Sequence, residues 1–282
     1  MSKISVVIPC YNAENYIERC VNAFEMQSFK DFTLIFVDDC SSDGTVEKIR
    51  KINSGLDIAL LINEQNCGPA ITRNKGIQYA ASEYITFCDC DDWYEPEFLS
   101  EMLLALTEND ADIALCGYNV VNEKGNVQKR PLAEKNIVLT GANALRLDAD
   151  SLCMLMVKTD IMKTILLPDI RNGEDVAVVP LLIAKSQRCA VLKECLYNYY
   201  RRDGSASCKP TMRVVESLQQ AFVYTQKFFP DNMKSELEYL GIKNMLYSAL
   251  ITLFSFGYDT KTASDILNSF ERIYPFWHKN PY

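Results

Sequence analysis

Short apolar runs alternate with helical patterns over residues 4–117, and this alternation constrains the fold more than any other feature of the chain. Residues 4–8, 34–37, 58–62, 84–87 and 113–116 are apolar runs with the length of buried strands. Between the first two, Ile17, Cys20, Val21 and Phe24 recur at helical spacing, with Asn12 as a candidate cap. Ser42 can cap a helix that carries Val46 and Ile49. A further helix is expected over 69–79, and Pro96 suits the first turn of the one after it. Strands alternating with helices predict an α/β fold, a mostly parallel central sheet covered by helices on both faces. Ligands of such sheets bind beyond the carboxyl ends of the strands.

The middle stretch, 118–209, is less regular. Val120-Val121 and Val127-Gln128 flank 122–126 as a hairpin would, a helix is expected near 141–147, and 152–157 is apolar. The last stretch, 210–282, reads as helical and holds 14 of the 30 aromatic residues. Seven basic and seven acidic residues balance there, so the net charge of −8 lies upstream. An acidic chain is a poor binder of bare duplex, and a phosphorylated ligand requires local cations or a metal. The apolar stretch 245–256 is broken by Ser248 and Ser255, and it falls short of the ~20 residues a bilayer span needs. The start runs directly into a strand, with no pattern of a signal peptide, and 11 cysteines without paired clusters suit reduced thiols in a cytoplasmic protein. The single histidine, His278, lies near the end, which excludes chemistry built on a central histidine.

The candidate chemistry sits at strand ends. Asp89-Cys90-Asp91-Asp92 follows the fourth strand. Alternation puts Asp89 and Asp91 on one side and Asp92 on the other. Crowded carboxylates stay ionised cheaply when a cation lies between them, and Mn2+ or Mg2+ bridging a diphosphate is the usual reason; a solvated acidic turn is the alternative. Asp38 and Asp39 end the second strand pointing opposite ways, one suited to a nucleobase imide or a ribose hydroxyl, the other to a turn. Pro9, Tyr11 and Asn12 close the first strand, and Tyr11 can stack on a base or join the core. Asn66 and Arg73 follow the third strand, with Arg73 early on a helix where a phosphate is welcome, or else a surface arginine paired with a carboxylate. Gly173-Glu174-Asp175 precedes an apolar run. If a helix starts near Val176, Pro180 falls at the edge of its first turn, and Asp175 is either a cap or a cleft carboxylate. Residues 197–205 form a basic-aromatic segment that can carry cations over a leaving group or form an amphipathic strand.

In order and spacing, the segments 4–12, 37–45, 66–74 and 89–92 resemble the family 2 glycosyltransferases with the GT-A (Rossmann-like) fold. The segments at 173–175 and 197–205 extend that resemblance, most narrowly to bacterial surface-polysaccharide transferases. The resemblance implies a domain over 1–209, with a nucleotide-binding half at about 1–117, an acceptor half at about 118–209, and a helical C-terminal region over 210–282. It implies a nucleotide-sugar donor, most often a UDP-sugar, a hexosyl or N-acetylhexosaminyl group to transfer, and inversion at the anomeric carbon. Pro9, Tyr11 and Asp39 match positions around the uracil, and Asn66 and Arg73 match further nucleotide contacts. Asp89 and Asp91 match the DxD motif, with Asp91 the metal ligand and Asp89 near the ribose. Asp175 matches the catalytic base, with Glu174 beside it. Arg202 falls near a basic position facing the diphosphate, whereas Tyr200 stands where an arginine is usual.

The residues alone leave two other functions open, a nucleotidyltransferase that makes the activated sugar and a non-catalytic nucleotide-sugar-binding module. The first usually needs a Gly-rich, basic loop after the first strand, where this chain has Pro9-Cys10-Tyr11-Asn12. The aromatic tail can pack on the first domain, form a homo-oligomer contact, or touch the inner membrane face where a lipid-linked acceptor would lie.

Overall fold

β1 (Ile4–Cys10) and β2 (Phe32–Asp38) are buried along almost their whole length, as strands inside a two-sided sheet must be. They belong to a computed structural model that describes residues 2–170, 173–201, 211–257 and 260–282. Between them runs α1 (Ile17–Glu25), and α2 (Thr45–Arg50), β3 (Asp57–Ile62), α3 (Pro69–Tyr79), β4 (Tyr84–Phe87), the short β5 (Trp93–Tyr94) and α4 (Phe98–Glu108) follow. β6 (Ile113–Asn122) then turns back into β7 (Val127–Arg130), the hairpin expected, with Val121 opposite Val127. β8 (Ile137–Leu139), α5 (Gly141–Ala144), β9 (Leu155–Lys158), α6 (Thr159–Met162), α7 (Glu174–Lys185) and β10 (Cys189–Arg201) complete the middle stretch.

The strands form a single sheet in the order β3-β2-β1-β4-β9-β6-β10-β5, with β7 on β6 and β8 on β10. From β3 to β4 every pairing is parallel. β9 then enters between β4 and β6 antiparallel to both, and β6 and β10 are again parallel. The parallel part is therefore the stretch where helices alternate with strands, and the whole sheet is mixed. The reason is connection length: once the chain leaves β6 by a hairpin instead of a crossover helix, reversed strands become available.

Several local expectations give way to tertiary contacts. Asn12 does not cap α1. It sits at φ 49°, its Oδ1 accepts from the Ser42 N–H at 2.9 Å, and the N-cap residue is Tyr16. Ser42 does not cap α2, because the Thr45 N–H is taken by Asp43 at 3.0 Å. Pro96 stands before the N-cap Glu97. The helix near 141–147 is a single turn capped by the Thr140 hydroxyl. α7 starts at Glu174, so Pro180 lies inside it rather than in its first turn. Residues 177–183 are all buried, and that burial outweighs the hydrogen bond Pro180 cannot make.

The tail folds into α8 (Met212–Phe228), α9 (Lys234–Gly241), a π-helical stretch Ile242–Ser248, α10 (Ala249–Ser255) and α11 (Thr260–Ile273). α8 lies on α7, where the Thr225 hydroxyl donates to the Ala177 carbonyl at 2.9 Å. Phe222, Leu240 and Phe270 share one hydrophobic cluster with the sheet. None of the described helices is long and apolar enough to cross a membrane.

α3 packs on β1 and β2 through Gly76, where an added Cβ would sit 2.4 Å from Val7 Cγ1 and 3.2 Å from Val37 Cγ2. Gly76→Val should lower stability by about 1–3 kcal/mol, the usual cost of overpacking, read as a lower urea midpoint with an unchanged slope.

Candidate active site

The carboxyl ends of β1, β2 and β4 open into a cleft of about 660 Å³ lined in part by Pro9, Tyr11, Asp39, Asn66, Arg73, Asp89, Asp91 and Glu174. That volume suits a nucleotide-sized ligand. Asp39 fixes one wall. Its carboxylate accepts from the backbone N–H groups of Cys67 and Gly68 and from Asn63 Nδ2, all at 2.8 Å. These bonds hold the loop before α3, where Gly68 takes φ 84°, a value cheap only for glycine. Asp38 faces the other way and accepts from the Ser41 N–H at 2.9 Å. Tyr11 is 53% exposed and Asn66 reaches the Asp39 carbonyl at 3.4 Å.

Arg73 is the centre of the site. It is buried on α3 and donates from Nη2 to Asp89 Oδ1 and from Nη1 to Glu174 Oε1, both at 2.7 Å. Nη1 is also 4.0 Å from Asp175 Oδ1. Burial pulls the proton affinity of this guanidinium down, but Asp89, Asp175 and Glu174 outweigh it and hold it above its ordinary value. Arg73 is thus neither a surface arginine nor a free phosphate ligand. It joins the end of β4 to the first turn of α7, where the helix dipole favours both carboxylates.

Glu174 accepts from Arg73 on one oxygen and from the Gly173 N–H at 3.1 Å on the other. Asp175 is held differently. Its Oδ2 accepts from the Leu152 N–H at 3.1 Å and the Ser151 hydroxyl at 3.3 Å, while buried Oδ1 has no hydrogen-bond partner among the described residues. Burial pushes its pKa up to about 6; Arg73 opposes the rise, and Glu174 and Asp89 add to it. An under-satisfied carboxylate that titrates near neutrality has the properties of a general base.

Asp89 and Asp91 line the cleft, and Asp92 turns away, as alternation along the segment predicts. Asp92 is buried and accepts from the Tyr197 hydroxyl and from the Tyr200 N–H at 2.7 Å. No group of three or more His, Cys, Asp or Glu side chains suited to a metal occurs among the described residues. Two cleft carboxylates still fit Mg2+ or Mn2+, which commonly takes one or two protein carboxylates and completes its shell with water and substrate phosphate. Arg202 lies outside the described residues. Of the basic-aromatic segment 197–205, residues 197–201 belong to β10 and the rest lie outside the described residues. Sequence reasoning missed Ser151, whose role depends on a distant partner and leaves no local pattern, and it missed Arg19, which donates to the Asp91 carbonyl.

The family sequence model described as Glycosyl transferase family 2 matches residues 5–161. The chain belongs to this family. It is a glycosyltransferase, and its fold is GT-A. TuaG of Bacillus subtilis, a glycosyltransferase named for teichuronic acid biosynthesis, is 30% identical over 72% of this chain and 81% of its own length. TarS of Staphylococcus aureus, a poly(ribitol-phosphate) beta-N-acetylglucosaminyltransferase, is 28% identical over 81% of this chain and 39% of its own. The structure of TarS 1-349 in complex with UDP-GlcNAc superposes with a TM-score of 0.75 at 24% identity, covering 95% of this chain and 80% of that one. A mannosyltransferase of Pyrobaculum calidifontis, in complex with GDP-Man and Mn2+, superposes at 0.59 with 17% identity over 96% of this chain and 80% of that one. At such identities the superpositions speak to the fold.

Replacing Arg73 leaves Glu174 buried without its cation. Arg73→Met should therefore cost about 3 kcal/mol or more of stability, read as a lower denaturant midpoint at neutral pH.

Proposed function

We propose that this family 2 glycosyltransferase moves a sugar, with inversion, from a UDP-sugar to a hydroxyl of a saccharide or lipid-linked acceptor in cell-surface polysaccharide synthesis. The observation that carries the reading is the Arg73 bridge, which brings Asp89 of the acidic turn and Glu174 to one cleft, with Asp175 Oδ1 4.0 Å from the same guanidinium. TuaG, named for teichuronic acid biosynthesis, and TarS, named for transfer to poly(ribitol-phosphate), support the acceptor class. The UDP-GlcNAc held by TarS supports the donor class and a hexosyl or N-acetylhexosaminyl group. The protein works in the cytoplasm, where nucleotide sugars are at hand.

Pro9, Tyr11, Asp39 and Asn66 form the wall against which the nucleotide lies, with the Tyr11 ring free to stack on the base. Asp91 with Asp89 would hold Mn2+ or Mg2+, which supplies positive charge to the departing diphosphate. Asp175 takes the proton of the acceptor hydroxyl as its oxygen bonds to the anomeric carbon. The bond from that carbon to the diphosphate breaks on the opposite face, and UDP carries away the electron pair. Neither a Ser nor a Cys nucleophile is needed. The Leu152 N–H and the Ser151 hydroxyl keep Asp175 in place, and Arg73 and Glu174 shape its electrostatic environment.

UDP release with a pool of saccharide and lipid-linked acceptors tests the reading. Asp175→Asn should lower kcat by about 10²–10⁴-fold and leave UDP affinity close to that of the parent; full activity in this variant removes Asp175 from the mechanism. The pH profile gives an independent check. Folding raises the Asp175 pKa to about 6, so the base is protonated, and transfer is lost, as pH falls through that value. The kcat/KM profile should show an acidic limb near pH 6, and a profile flat down to pH 5 contradicts the assignment.

A further inference from the structure

The turn that carries Asp89 and Asp91 is held from behind by a side chain outside every motif. Arg19 projects from α1 and donates from Nη2 to the main-chain carbonyl of Asp91. Its guanidinium carbon lies 4.8 Å from the ring centroid of Trp93, 4.5 Å from that of Tyr200 and 5.7 Å from that of Tyr16. The Trp93 and Tyr200 rings are 6.1 Å apart and inclined at 49°. Arg19 Nε is buried and has no hydrogen-bond partner among the described residues. Trp93 follows the acidic turn directly, Tyr200 comes from β10, and Tyr16 is the N-cap of α1. Three separate segments thus converge on one guanidinium.

Two observations set this cage apart from ordinary packing. Arg73 is the only Lys or Arg among the described residues that line the cleft, and Asp89 and Glu174 already engage it. Arg19 stands behind the lining and brings its charge to the backbone of the turn. Tyr200 also holds the turn twice, its ring covering Arg19 and its N–H donating to Asp92 Oδ1 at 2.7 Å. Arginine suits this place better than lysine because a planar guanidinium can stack on two rings while its edge still donates.

We infer that Arg19 is a positioning residue for the cation-binding pair: caged by Trp93 and Tyr200, it pins the Asp91 carbonyl and presets the turn so that Asp89 and Asp91 receive the cation and diphosphate already placed. The inference rests on the reading of Asp89 and Asp91 as divalent-cation ligands. Groups that orient the ligands of a metal typically govern its affinity by 10–100-fold.

The test is calorimetric titration of the full chain with UDP, in Mn2+ and again in EDTA. Arg19→Met keeps bulk against the rings and removes the charge and the donor. It should weaken Mn2+-dependent UDP binding by about tenfold while UDP affinity in EDTA stays at the parent value. Arg19→Lys and Tyr200→Leu should shift the Mn2+ arm in the same direction by less, and they carry the test if Arg19→Met does not fold. An equal loss with and without Mn2+ makes Arg19 a structural residue only and overturns the inference. Parent-like binding in the Mn2+ arm, in Arg19→Met or in both other variants, also overturns it, and the cation reading then survives. A parent protein that binds UDP identically in Mn2+ and EDTA overturns both.

Discussion

A buried guanidinium must be matched by carboxylates or it costs the fold several kcal/mol, and Arg73 meets that requirement with groups that are far apart in the chain. Asp89 lies at the end of a central strand, and Glu174, 101 residues beyond Arg73, opens a helix. Their joint demand for one cation fixes the distance between the acidic turn and the first turn of α7. Asp175 rides on that arrangement. It is carried to the edge of the Arg73 field but is not hydrogen-bonded by it, which leaves one of its oxygens without a hydrogen-bond partner among the described residues.

The charge pattern follows from the same constraint. The cleft is rich in carboxylates, and its own cation is committed to two of them. The turn is secured on every side: Arg73 takes Asp89, Arg19 takes the Asp91 carbonyl, and β10 takes Asp92. The turn needs this rigidity because adjacent carboxylates repel one another and a loose segment would spread.

The first 117 residues could be read closely from the sequence because their strands and helices obey local periodicity. The expected helix over 69–79 and strand over 84–87 coincide with α3 and β4. Caps were less legible. Asn12 and Ser42 were expected to cap neighbouring helices, yet they bond across the β1 and β2 loops to each other. Pro180 shows the same limit, since a helix of buried residues tolerates a proline that propensity would place at its start. The insertion of β9 between β4 and β6 left no trace in periodicity, because a four-residue strand with three apolar residues can pair in either direction.

The sequence by itself determined the α/β alternation, the placing of carboxylates at strand ends and the opposed directions of Asp38 and Asp39, because each follows from a repeat of two or 3.6 residues along a continuous segment. Only the tertiary structure decided that Arg73 is buried and shared, that Asp175 keeps one oxygen unpaired among the described residues, and that Arg19 donates to the acidic turn. Those outcomes depend on which distant groups compete for the same donors and charges, and that competition begins only when the chain has closed on itself.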